Sequence, residues 1–182
     1  MSVVEKGRAT YRLVVAIWSD MVGRAIVDTG YLVALLNASD AHHAWARELL
    51  PALRGPWLTA EACISETVFL LEQAGKPAVD SLFRWLTDGL VLSRHFLPEE
   101  LATVREEVFR YEARWVDFAD ACLVTLSDLH PRLPVASVDT RGFAFYFRRR
   151  PKRRRNLPVT IKELSRWPVR DARRTVTRVV CD

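Results

Sequence analysis

Short, wholly apolar runs alternate along this chain with longer segments whose apolar residues recur at three- and four-residue intervals. Ala25-Ile26-Val27, partly β-branched and ending at Asp28, reads as a buried strand. Thr29-Gly30 then turns the chain into an apolar helix over 31–36. Asp40 can cap a second helix over 41–53, which Gly55-Pro56 stops before a short strand at 57–59. Ile64, Val68 and Leu71 predict a helix over 60–74, ended by Gly75. A helix follows over 77–87, with Pro77 in its first turn and Asp88-Gly89 as its exit, and then a strand over 90–92. A charged amphipathic helix over 98–113 and a more apolar one over 118–129 precede a strand over 134–138 that ends at Asp139, with a further short strand near 143–147.

Strands alternating with helices predict a three-layer α/β/α domain whose central sheet is short-stranded and mostly parallel. The 182 residues fit one such domain with tails. The expected division is an N-terminal extension over 1–20, a domain over 21–147 and a basic tail over 148–182, with Met21 as an alternative start of translation. The longest apolar runs, 13–18 and 31–36, fall well short of the ~20 residues that cross a bilayer. Cys63, Cys122 and Cys181 are odd in number and lack C-x-x-C spacing, so reduced thiols and a cytoplasmic location are expected.

The net charge of +5 conceals an asymmetry. Residues 148–182 carry 13 Lys/Arg against 3 Asp/Glu, whereas the rest carries 14 bases and 19 acids. Arg148, Arg149 and Arg150 open a cationic block that continues from Lys152 to Arg155. Such a block is either a solvated tail or a site for a polyanion, of which nucleic acid is the natural example. Thr160-Ile161-Lys162-Glu163 has the spacing of a capping box opening a short helix.

Within the acidic body, Asp28 and Asp139 each follow a predicted strand, at the end where open α/β sheets place their sites, though turn or cap roles would suit either one alone. Glu66 has Ala62, Cys63, Phe69 and Leu70 as helical neighbours, so it is expected on an apolar face, where an unpaired carboxylate is costly. Asp117 and Asp120 share a face at a helix start, Asp117 as cap or ligand. If Asp28, Glu66, Asp120 and Asp139 converge, each like-charge pair at ~4 Å costs roughly 4 kcal/mol at an effective dielectric of 20. Protonation or a cation relieves that cost. Oxygen ligands without His or Cys suit Mg²⁺ or Mn²⁺. A divalent ion held by carboxylates is in turn suited to phosphodiester hydrolysis.

From about residue 24 to 148 the chain resembles the PIN domain, specifically the VapC-type ribonuclease toxins of bacterial toxin–antitoxin pairs. The resemblance rests on Ile26-Val27-Asp28-Thr29-Gly30, on the segment from Ser39 to Ala46, on Ser65-Glu66-Thr67-Val68, on Val116-Asp117-Phe118-Ala119-Asp120-Ala121, and on the segment from Ser137 to Phe143. It implies a metal-binding quartet of Asp28, Glu66, Asp120 and Asp139 with Asp117 nearby, and hydroxyls at Thr29 and Ser137 beside the metal. Many relatives carry an acid where Gly142 stands, which bears on a second metal ion. The implied activity is Mg²⁺- or Mn²⁺-dependent endoribonucleolytic cleavage, with Arg141 and the basic tail holding the RNA backbone. A small antitoxin and a homodimer are the implied partners. An RNA-processing nuclease outside a toxin pair, an inactive nucleic-acid-binding module and a structural partner protein are the alternatives. No P-loop, G-x-G-x-x-G or hydrolase elbow points to other chemistry.

Overall fold

The computed structural model of the chain describes residues 25–53, 55–111, 116–139, 143, 146–148, 155–156 and 159–160. Strands β1 (Ala25–Val27), β2 (Trp57–Ala60), β3 (Val91–Arg94) and β4 (Val135–Ala136) alternate with helices α1 (Thr29–Leu36), α2 (His43–Leu53), α3 (Glu61–Leu71), α4 (Lys76–Thr87), α5 (Pro98–Val108) and α6 (Phe118–Leu129). Gly75, at φ 89°, closes the 3₁₀ turn Glu72–Ala74 that prolongs α3, a conformation open to glycine at little cost. Beyond β4, β5 (Phe147–Arg148) pairs antiparallel with β6 (Arg155–Asn156), and β7 (Val159–Thr160) joins the main sheet.

The main sheet has the order β3-β2-β1-β4-β7, and every pairing in it is parallel. β1 therefore lies in the middle, and its three residues are fully buried. Because a strand alternates its side chains between faces, β1 feeds two cores. Ile26 packs with Val135, Val104 and Leu123 towards α5 and α6, whereas Ala25 and Val27 pack with Leu32, Leu49 and Leu53 towards α1 and α2. The second core is anchored by Tyr31, whose ring meets Trp45 and Trp57 edge-on at centroid distances of 5.8 and 5.9 Å. Val33, Leu71, Ala78 and Leu82 tie α1, α3 and α4 together in a third cluster. This is the three-layer α/β/α arrangement expected from the alternation. Among the described residues no helix is long and apolar enough to cross a membrane.

The differences lie at element ends. α5 stops at Val108 rather than near 113, because Phe109 leaves helical geometry and Arg110 folds back onto Glu107, with Nη1 to Oε2 at 3.0 Å. β4 has two residues rather than five: at Ser137 the side-chain hydroxyl takes the Asp139 N–H at 3.0 Å, which draws the chain out of the ladder. The strand expected near 143–147 is only Phe147–Arg148. Phe143 is helical, its N–H reaching the Asp139 carbonyl at 3.4 Å, and its ring is buried. Thr160, expected to open a helix, instead pairs with Ala136. The open edge of β4 satisfies its backbone groups, which a local cap signal does not. The sheet thus takes a strand from the region assigned to the tail.

Gly30 shows how tightly α1 is seated. A Cβ there would stand 2.3 Å from Val138 Cγ2, on the loop that carries Ser137 and Asp139. Gly30→Ala should lower stability by about 1–3 kcal/mol, the usual range for overpacking. Thermal denaturation measures this, and an unchanged midpoint would show that the loop yields freely.

Candidate metal-binding acidic site

Asp28 follows β1 directly and serves as N-cap position of α1, but its side chain makes no capping hydrogen bond. It is instead fastened across the sheet: Ser137 Oγ, just beyond β4, donates to Asp28 Oδ2 at 2.6 Å. Only 7% of Asp28 is exposed. One residue on, Thr29 Oγ1 donates to Glu66 Oε2 at 2.8 Å and so links α1 to α3. At the start of α6, Asp117 is the cap, accepting the Asp120 N–H on Oδ1 at 2.8 Å. Asp120 Oδ2 in turn accepts the Tyr146 hydroxyl at 2.7 Å. Three carboxylates from three elements are each held by a hydroxyl from another part of the chain.

Electrostatics shows that these groups share one neighbourhood. Burial raises the Asp28 carboxyl to about 6; the hydrogen bonds from Ser137 and the Thr29 backbone oppose the rise, and the charges of Glu66 and Asp139 add to it. Burial likewise raises Asp120 to about 8, against the Tyr146 hydrogen bond and with the help of Asp117 and Asp28. Asp28 thus interacts electrostatically with Glu66, Asp139 and Asp120. Burial also holds both nearby thiols protonated, that of Cys63 pushed well up and that of Cys122 raised to about 12, so neither is a nucleophile.

Among the described residues, no group of three or more His, Cys, Asp or Glu side chains stands in an arrangement that could hold a metal ion as it is. The donor set nevertheless fits a hard divalent cation: only oxygens, crowded carboxylates, and a proton held on Asp120 near neutral pH that a cation would displace.

Glu66 departs from expectation. It is exposed, and its neighbours Phe69 and Leu70 are exposed as well, at 70% and 47%. The buried face of α3 runs instead through Cys63, Thr67 and Leu71. Glu66 therefore stands at the mouth of the site and carries no burial cost there. Thr29 and Ser137 hydrogen-bond Glu66 and Asp28 directly. Arg141, Arg149 and Arg150 lie outside the described residues, and Arg148 is described only in its strand pairing. Tyr146 was missed. Its stretch reads as plain strand, and the only signal was a phenol among buried aromatics, which needs a partner for its hydroxyl.

A family model for the PIN domain matches residues 25–151, and the chain belongs to the PIN-domain family. Its structure is similar to the crystal structure of VapC20 from Mycobacterium tuberculosis, a sarcin-ricin loop cleaving toxin. The TM-score is 0.59 at 25% identity, and the match covers 70% of this chain and 99% of that one. A search of curated proteins finds no significant match. PIN-domain nucleases generally use divalent metals.

Unfolded aspartates titrate near 3.9. With Asp28 at about 6 and Asp120 at about 8, the folded state holds more protons than the unfolded one across that interval. Metal-free stability is therefore greatest below about pH 4 as far as these groups go, and it is lost as pH rises towards 8, by about 3 kcal/mol for Asp28 alone. In EDTA the melting temperature should fall from pH 5 to pH 8, and Asp120→Asn should remove much of the fall. A profile that rises with pH, or one that Asp120→Asn leaves unaltered, would contradict this account of the site.

Proposed function

We propose that this chain is a divalent-cation-dependent endoribonuclease and the toxin of a toxin–antitoxin pair. What supports the reading is that Ser137 ties Asp28 and Asp139 together beyond the ends of β1 and β4, that Asp28 feels the charges of Glu66 and Asp139, and that Asp28 and Asp120 are raised above the ordinary carboxylate range. Family membership and the likeness to a toxin that cleaves the sarcin-ricin loop support RNA as the substrate class.

Asp28, Asp120 and Asp139 would hold Mg²⁺ or Mn²⁺, with Glu66 and Asp117 at the margin. A divalent cation bound there supplies Lewis-acid neutralisation of the phosphodiester and lowers the pKa of water beside it. The chain's own hydroxyls set the donors. Ser137 Oγ fixes Asp28 Oδ2 while accepting the Asp139 N–H, so one side chain orients two acids. Tyr146 fixes Asp120, and Thr29 fixes Glu66. Such preorganisation means that little reorganisation is needed as charge develops on the phosphate oxygens. Arg141, Arg148, Arg149 and Arg150 are assigned to the RNA backbone on charge alone. Products with a 5′-phosphate and a 3′-hydroxyl, a small antitoxin partner, a homodimer and a cytoplasmic location belong to the same reading.

Asp28→Asn and Asp120→Asn should each reduce cleavage of single-stranded RNA in Mg²⁺ or Mn²⁺ by at least about a hundredfold, the scale of losing one preorganised electrostatic group. Circular dichroism should show the fold retained. EDTA should abolish wild-type cleavage. Undiminished activity in EDTA, or in both variants, would refute the reading.

A further inference from the structure

A groove of about 540 Å³ opens beside the acidic site, with Glu66 in its wall. Its size lies in the range of small-molecule sites. Phe96, Leu101 and Phe118 give it apolar surface, and Glu61 and His95 give it polar groups. Phe118 is the first residue of α6, between the cap Asp117 and the acid Asp120, and it is 56% exposed. A single exposed phenyl is ordinary on a protein surface. One that lines a groove shared with the candidate catalytic Glu66, and that stands two residues before Asp120, is placed to meet substrate.

The charges of the groove narrow the choice of occupant. Its two carboxylates, Glu61 and Glu66, would repel a phosphate. Its guanidinium, Arg94, is engaged by Glu100 at 2.6 Å and lies over the Phe96 ring, 5.5 Å from the centroid. The groove is therefore no track for an RNA backbone. It suits a neutral, flat group with a polar edge. His95 Nδ1 and Glu61 Oε2, 2.5 Å apart and both exposed, offer the hydrogen-bonding groups such an edge needs. A nucleobase has this chemistry, and in a single strand it hangs from the sugar next to a phosphate. A phosphate at the acids would bring a flanking base over the groove. Unpaired bases splayed from loops are recognised in this manner, stacked on aromatic rings and read along their edges.

We infer that this groove seats an unpaired nucleobase flanking the cleaved phosphate, with Phe118 as its stacking platform and the Glu61–His95 pair contacting its edge. The inference rests on the nuclease reading and adds a base subsite to it.

The test compares wild type, Phe118→Ala, Phe118→Tyr and, as control, Phe83→Ala, which removes an exposed phenyl outside the groove. Each is assayed on one single-stranded RNA and on copies made abasic at either nucleotide next to the cut. Phe118→Ala should lower kcat/KM on the intact strand about tenfold to a hundredfold, the size expected when the aromatic surface under one base is lost. Phe118→Tyr should restore it, and Phe83→Ala should leave it unchanged. On one abasic copy, wild type should fall to the Phe118→Ala rate, and Phe118→Ala should have no further effect. Fluorescence of 2-aminopurine at that position should be quenched on binding to Asp28→Asn and not to Asp28→Asn with Phe118→Ala. An undiminished Phe118→Ala rate overturns the inference, as does a loss of equal size on both abasic copies. So does a Phe118→Ala defect confined to binding of a protein partner. Quenching that depends on Phe118, without any cleavage by wild type, would remove the nuclease reading and leave the base site standing.

Discussion

The constraint on which this structure turns is the burial of carboxylates at one end of the central sheet, where their neighbours' charges add to the cost. Asp28 is nearly sealed from water at the end of the central strand, with Glu66, Asp120 and Asp139 all within electrostatic reach. Hydroxyl donors from Ser137 and Tyr146 favour the charged forms of Asp28 and Asp120. They do not outweigh burial, since Asp28 and Asp120 remain raised. The fold therefore maintains a charge arrangement that opposes its own stability, a pattern found where function rather than folding selects the residues.

The rest of the architecture holds that arrangement. The strand order puts β1 between β2 and β4, so the residues after β1 and β4 emerge side by side and Ser137 reaches Asp28. Close seating of α1 against Val138, possible because residue 30 lacks a side chain, keeps Thr29 and the Ser137 loop in register. Two apolar layers, one on each face of β1, fix the sheet between α1–α2 and α5–α6. Burial then grades the acids: Asp28 is deep, Asp120 and Asp139 are part-buried, and Glu66 and Asp117 are exposed. The exposed side adjoins the groove lined by Phe118, so the site opens towards a surface with its own recognition chemistry.

Much of this was legible along the chain. Short, mostly apolar runs bounded by turn residues located the first four strands, and the bounds of α6 were read as 118–129, as observed. Local signals failed where two parts of the chain competed for one group. Ser137 looks like a strand residue until its hydroxyl is seen turning the backbone towards Asp139. Thr160 looks like a helix cap until the edge of β4 is seen to pair with it. Glu66 looked buried because its helical neighbours are apolar, but hydrophobicity does not say which face of a helix another element will cover, and α3 buries the face of Cys63, Thr67 and Leu71.

The order of elements, the α/β class, the acids at strand and helix ends and the opposed charge of body and tail follow from the sequence alone, because periodicity, turn chemistry and formal charge are local properties. The hydroxyl that orients each acid, the raised carboxyls, the partner of Tyr146 and the groove beside Glu66 were decided only by the tertiary structure. Each depends on the distance and dielectric between residues far apart in the chain, and those exist only once the sheet has formed.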